Sequence, residues 1–304
     1  VPGKKAGAGR KASMIPAAFD YVAPETLNEA VSALASHGED AKILAGGQSL
    51  LPLLKMRLAQ PKLLIDLAKL SPLSGIGQQD DEIVIGALAT HYQIESSELL
   101  KKKCPLLPQT ARAIGDVQVR NRGTIGGSLS HADAAADWPA AILALGGELR
   151  LRGPKGERTL GGEEFFLGPM TTALEPTEIL TEIRVPMRSR RSGHAYQKMA
   201  QQASGFAIVG VAVSVKIDAK RICEDIGIGV TGLGDKAFRA HAAEERLRGN
   251  KLSVKLIEES AAAVPDGVDP LEDLYADAEF RAHLVRVYAA RAIQGAAKAA
   301  DRSR

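Results

Sequence analysis

Cysteine is nearly absent: Cys104 and Cys223 are the only two in 304 residues. Two distant thiols cannot alone supply the four ligands of an iron–sulfur cluster or a structural zinc site. Any iron–sulfur centre this protein works with would therefore sit on another chain. So sparse a pattern implies free, mostly buried thiols in a reducing compartment. Net charge is almost absent too. Lys and Arg number 39 against 36 Asp and Glu, leaving +3, and the signs are interspersed. A dedicated nucleic-acid binder would show a concentrated basic face. No apolar run approaches the roughly 18 residues of a membrane-spanning helix. Residues 1–13 hold four cations and no apolar core, unlike a secretory signal. With Met14 as a natural start, they read as an expression remnant or a disordered extension. The expected location is cytoplasmic, at most against the inner face of the membrane.

Hydrophobic residues make up 45% of the chain, enough for a sizeable core, and the length suits two or three domains. Against this background two glycine doublets stand out, Ala45-Gly46-Gly47-Gln48-Ser49 and Thr124-Ile125-Gly126-Gly127-Ser128. Each follows an apolar or extended stretch and ends in a hydroxyl. Such a stretch is expected to expose several backbone N–H groups with no side chain in the way, the makings of an anion-binding concavity. A helix starting just beyond would add a partial positive charge. Two such cradles can hold the two ends of one large anionic cofactor, although a glycine doublet alone is more often a plain turn. Gly146-Gly147 and Gly161-Gly162 read as ordinary turns.

The patterning is helix, strand, loop, strand over the first 70 residues, an α/β lobe. Leu27, Ala30, Val31 and Leu34 recur at helical spacing up to Gly38, and 41–45 is a short buried strand ending at the first doublet. A short helix over 49–58 and strands over 62–67 and 82–88 are expected, with Thr90 capping a helix to Leu99. Further helices are expected over 105–114 and 137–145, then a hairpin turning at 153–156 and a strand over 178–185. Residues 187–192 read as an exposed linker. Beyond it, strands over 195–199, 206–217 and 221–230 precede helices over 237–247, 252–264 and 278–299, an α+β arrangement.

Gly227-Ile228-Gly229-Val230-Thr231-Gly232 fits the dinucleotide pattern G-x-G-x-x-G. That reading needs a βαβ unit with an acidic residue about 20 positions on, at the end of the next strand. Only helical patterning follows, so the segment reads as a strand ending in a glycine-rich turn. His91 and His131 have no partners at metal-ligand spacing.

Taken together, the motifs resemble the FAD-binding (medium) subunits of molybdenum hydroxylases, of the aerobic carbon monoxide dehydrogenase and xanthine dehydrogenase type. The resemblance runs from about Ile15 to about Ala299. It rests on the two doublets with Leu50-Leu51-Pro52 and Arg120-Asn121-Arg122-Gly123, on Ile85-Gly86-Ala87, Asp137-Trp138-Pro139, Glu178-Ile179-Leu180 and Tyr196-Gln197-Lys198. It implies an α+β chain. A two-lobed α/β FAD-binding domain like that of vanillyl-alcohol oxidase would span 14–186, with lobes of about 14–70 and 71–186. A C-terminal domain of strands then helices would span 193–300. FAD would lie between the lobes. Leu44-Ala45-Gly46-Gly47-Gln48-Ser49-Leu50-Leu51 would wrap the diphosphate and neighbouring sugar, and Thr124-Ile125-Gly126-Gly127-Ser128 would bind from the other side. Asp137, Leu180 and Lys198 match cofactor-contact positions, and Tyr196 a position at the isoalloxazine ring. Gln48 stands where other members have His or another residue. On their own, Asp137 is equally a helix cap, Tyr196 a strand packing residue, Lys198 a surface lysine and Leu180 a strand core residue. Arg120 and Arg122 are either phosphate partners or solvated charges.

The implied function is electron transfer. Substrate would be hydroxylated at a molybdenum cofactor on a large partner chain. Electrons would pass through [2Fe-2S] clusters on a small partner chain to this FAD, and on to a terminal acceptor. A dimer of heterotrimers is the expected assembly. FAD carries the chemistry and no metal is expected on this chain. Two other readings compete: a self-sufficient FAD-dependent reductase or oxidase of the same fold, and a non-catalytic flavin carrier or sensor.

Overall fold

The computed structural model describes residues 14–303. The expectation for residues 1–13 lies outside the described residues. The first layer contains β1 (Asp20–Val22), α1 (Leu27–His37), β2 (Ala41–Leu44), α2 (Leu50–Lys55) and β3 (Leu63–Asp66). The three strands pair in parallel in the order β1-β3-β2. Thr26 caps α1 by accepting the Glu29 N–H, and Ala30, Val31 and Leu34 form the stripe that buries against Ala41, Leu63 and Ile65. The first doublet leaves the carboxyl end of β2, where open α/β sheets bind ligands.

The second layer begins with β4 (Ile76–Gln79) and β5 (Glu82–Gly86). Six helices follow: α3 (His91–Ser96), α4 (Glu98–Lys103), α5 (Leu106–Ala113), α6 (Val117–Arg122), α7 (Ile125–His131) and α8 (Asp137–Leu145). Then come β6 (Glu148–Gly153), β7 (Gly156–Gly161), α9 (Gly162–Phe165), β8 (Phe166–Gly168), β9 (Thr171–Thr172) and β10 (Ile179–Pro186). Its main sheet is antiparallel in the order β4-β5-β10-β6-β7. The hairpin turns at 153–156 as expected. Thr90 caps α3 in a full capping box with Gln93.

The third layer has β11 (Ser192–Ala200), β12 (Ala207–Ile217), β13 (Cys223–Thr231) and β14 (Phe238–Arg239), paired antiparallel in sequence order. The helices α10 (His241–Leu247), α11 (Val254–Ala262) and α12 (Ala278–Arg302) follow. The helix expected from 237 starts four residues later, because Phe238 and Arg239 pair with Val230 and Gly229. The linker is less exposed than expected. Only Ser189 and Arg190 are open, while the Arg188 backbone N–H reaches the Lys103 carbonyl and its guanidinium reaches those of Ser192 and Ala299.

The third sheet has a large-residue face and a small-residue face. Val209, Val211, Val213, Val215, Ile226, Ile228 and Val230 join the core that includes α12. The alternate residues Gly210, Ala212, Ser214, Gly227 and Gly229 lie on the opposite face. There α8 approaches so closely that a Cβ on Gly227 would collide with the Ala144 carbonyl and one on Gly229 with that of Ala140. The G-x-G-x-x-G match is thus a packing surface for a helix, within a strand as expected.

Candidate functional site

The two doublets meet. A Cβ on Gly46 would collide with the Arg122 carbonyl oxygen and come within 2.7 Å of the Gly123 Cα. From Gly127 the Cβ direction reaches the Ala45 methyl at 3.7 Å. Backbone from two layers is therefore in direct contact, which only glycine permits. Together they wall a cavity of about 840 Å³, within the usual range for ligand sites. Ala45, Gly46, Gly47, Gln48, Ser49 and Leu50 line it from one side, and Thr124, Gly126, Gly127 and Ser128 from the other. Leu180 closes part of the wall from β10.

Their backbone chemistry differs. Among the described residues, the N–H groups of Gly46, Gly47, Gln48 and Ser49 have no acceptor in the chain. The second doublet corrects the expectation of exposed donors. Ile125 N–H donates to Ala89 O, Gly126 to Ala87 O, Gly127 to Thr124 Oγ1 and Ser128 to Thr124 O. It offers hydroxyls and bare Cα surface, while the first doublet offers the free amides. Gly47, at φ +74°, turns the first loop.

The ionisable lining is sparse: Lys42, His91 and His131 with Glu39, Glu175 and Glu178. Glu178 is held by Arg158 through two bonds of 2.7 Å and also accepts the Glu175 N–H, fixing the loop at one end. That hydrogen bonding keeps the Glu178 carboxyl below its ordinary value. Arg120 is not on the wall. It pairs with Glu95 at 2.8 Å and with the Ile114 and Gly115 carbonyls, and Arg122 is exposed. A diphosphate here would be met by neutral donors and one lysine. No group of three His, Cys, Asp or Glu side chains among the described residues converges as metal ligands would.

Other expected site residues lie elsewhere. Ile125 is fully buried in the core, and Leu44 and Leu51 flank Gly47 from behind. Asp137, Tyr196 and Lys198 come together, but off the cavity lining. Gly193 and Ala195 of β11 face α12, so Tyr196 and Lys198 point the other way, into the contact with α5 and α8. There Asp137 Oδ1 accepts from Tyr196 Oη at 2.5 Å, and Asp137 Oδ2 accepts from Lys198 Nζ at 3.1 Å. The same ammonium donates to the Ala113 and Gly205 carbonyls, both at 2.7 Å. Burial pushes the Asp137 carboxyl above its ordinary range, against the pull of Lys198. Burial and the Asp137 charge push the Tyr196 phenol well above its own.

The lining also includes a residue that sequence reading treated only as a non-ligand of metals. His91 is 4% exposed, and its Nδ1 accepts from Trp138 Nε1 at 3.0 Å. No local signal links residues 47 positions apart.

A model of the FAD-binding domain in molybdopterin dehydrogenases matches residues 17–188, and one of the C-terminal domain of CO dehydrogenase flavoproteins matches residues 194–296. The carbon monoxide dehydrogenase medium chain of Hydrogenophaga pseudoflava is 38% identical over 283 residues, 93% of this chain and 98% of that one. The 6-hydroxypseudooxynicotine dehydrogenase complex subunit alpha of Paenarthrobacter nicotinovorans is 38% identical, covering 96% of this chain and 97% of that one. A solved structure of Hydrogenophaga pseudoflava carbon monoxide dehydrogenase, lacking the Mo-pyranopterin moiety of its cofactor, superposes with a TM-score of 0.90 at 39% identity. The match covers 93% of this chain and 98% of that one.

Proposed function

The chain belongs to the FAD-binding subunits of molybdopterin dehydrogenases, with the C-terminal domain of the CO dehydrogenase flavoproteins, and from that premise we propose a specific electron-transfer role. It holds FAD in the cavity between the two doublets and passes electrons from iron–sulfur clusters on a small partner chain to a terminal acceptor. Substrate is oxidised on a large molybdenum-bearing partner, and the complex is a dimer of heterotrimers. The observation that carries this reading is the convergence of two glycine loops, one with four unpaired N–H groups, on a single cavity.

The bound flavin supplies one- and two-electron redox chemistry. This chain's residues bind and orient it. The N–H groups of 46–49 cradle the diphosphate, and the Thr124 and Ser128 hydroxyls face it from the second loop. Leu180 contributes apolar wall. Asp137, Tyr196 and Lys198 brace the contact of β11 with α5 and α8, off the cavity lining. Substrate identity rests with the molybdenum chain. The relatives above are named for carbon monoxide and for 6-hydroxypseudooxynicotine, chemically unlike substrates.

Reconstitution tests the proposal. The purified chain is expected to bind FAD and to turn over only when both partner chains are added. Turnover with a simple donor and no partner would instead make it a self-sufficient reductase. Flavin that is never reduced in any reconstituted complex would make it a carrier.

A further inference from the structure

Trp138 Nε1–H is a donor only, so the His91 Nδ1 that accepts from it at 3.0 Å carries no proton. The neutral ring must then carry its hydrogen on Nε2. The rings lie 5.8 Å apart between centroids, tilted by 46°. The His91 backbone N–H is tied to the Gly123 carbonyl at 2.9 Å. A Cβ on Gly123 would sit 2.7 Å from His91 Nε2, so the bare Cα of Gly123 makes room for that edge of the ring. Nε2 pairs with nothing in the chain among the described residues, and the ring lines the cavity beside Ala87, Val119 and Gly126. Gly123 in turn abuts Gly46, the first of the loop positions with unpaired N–H groups.

We propose that His91 is a binding residue for the nucleotide, its tautomer fixed by Trp138 so that Nε2–H donates to a diphosphate oxygen beside the first glycine loop. The inference rests on the reading that FAD occupies this cavity. It adds a side-chain donor of fixed tautomer to a wall that otherwise offers backbone amides, hydroxyls, Gln48, His131 and Lys42. Burial, helped by the Arg120 charge, holds the imidazole down to about 4, so it stays uncharged and keeps this donor through the neutral range.

The test uses the full chain stripped of flavin. FAD affinity is read from flavin fluorescence, and ADP affinity by competition. His91→Phe removes both ring nitrogens, whereas His91→Gln keeps a donor and can still accept from Trp138. Circular dichroism and a thermal melt check that each variant is folded. His91→Phe is expected to weaken FAD and ADP alike by about fivefold to tenfold, the effect of one lost hydrogen bond. His91→Gln is expected to stay within about twofold of the parent on the same scale. Unchanged FAD binding by His91→Phe overturns the inference. So does a His91→Gln variant as weak as His91→Phe, which would assign the effect to ring packing. Weakened FAD with unchanged ADP overturns it as well, by moving the acceptor off the diphosphate. A parent chain that binds no FAD defeats the function proposal instead.

Discussion

A side chain at Gly46 or Gly126 would run into the chain's own backbone or the Ala87 methyl, so substitutions there report on folding alone. Gly47 and Gly127 differ. A Cβ on Gly127 meets only Thr124 Oγ1, at 2.8 Å, and the Ala45 methyl, and one on Gly47 meets only Leu51 and Leu44 side-chain atoms. Gly127→Val is therefore expected to lower FAD affinity by at least about tenfold, ~1.4 kcal/mol, while the chain stays folded. The flavin-to-protein ratio after purification reads this directly, and full occupancy in that variant would remove the cofactor from this cavity. Gly47→Val adds backbone strain in the first loop, because valine rarely adopts a φ of +74°. The doublets themselves were visible in the sequence; what each does with its amides was not. The Ile125 and Gly126 donors are satisfied by Ala89 and Ala87, more than thirty positions upstream, and nothing near residue 125 announces that pairing. The same distance hid the Trp138–His91 bond.

At the scale of elements, local periodicity predicted α1, the β6–β7 hairpin and the long helix α12, because each is set by nearby spacing and caps. The strand β14 was missed because two residues gain their state only from β13 across a turn. Alternation of large and small residues along β12 and β13 was present in the sequence as a pattern, but its cause lies in α8. That helix runs Asp137-Trp138-Pro139-Ala140 to Leu145 with every residue buried, and its alanines 140 and 144 face the two strand glycines. Gly229→Val would force apart backbones already in contact. Overpacking of this kind is expected to cost about 3 kcal/mol, the upper end of the usual range, read as a lower midpoint in urea. An unchanged midpoint would mean that the sheet and α8 are not held at this spacing.

For the whole molecule, acid is the informative variable. Burial holds both His91 and His194 at about 4, with Arg120 and Arg188 reinforcing the shift. Unfolded histidine titrates near 6.5. Above that value neither state is charged and nothing is lost. As pH falls from about 6.5 to 4 the unfolded chain takes up protons that the folded chain refuses, so stability drops, on the order of 3 kcal/mol for each histidine once complete. His194, whose Nδ1 has no partner among the described residues, is the cleaner probe. His194→Gln is expected to flatten the decline of the urea midpoint between about pH 7 and pH 4. An equally steep decline in the variant would show that His194 is not kept neutral by its surroundings.

The glycine-bearing face of the third sheet also bears on how the chain can be divided. Ser189 and Arg190 are the natural point for a protease to cut, yet cutting there would sever a tether and leave the fastening intact. The strand-rich half borrows α8 as its missing wall, so expressing it by itself would leave a bare ribbon of glycine, alanine and serine in water. The peptide link between the halves is a convenience of synthesis, and the borrowed helix is what makes them one object.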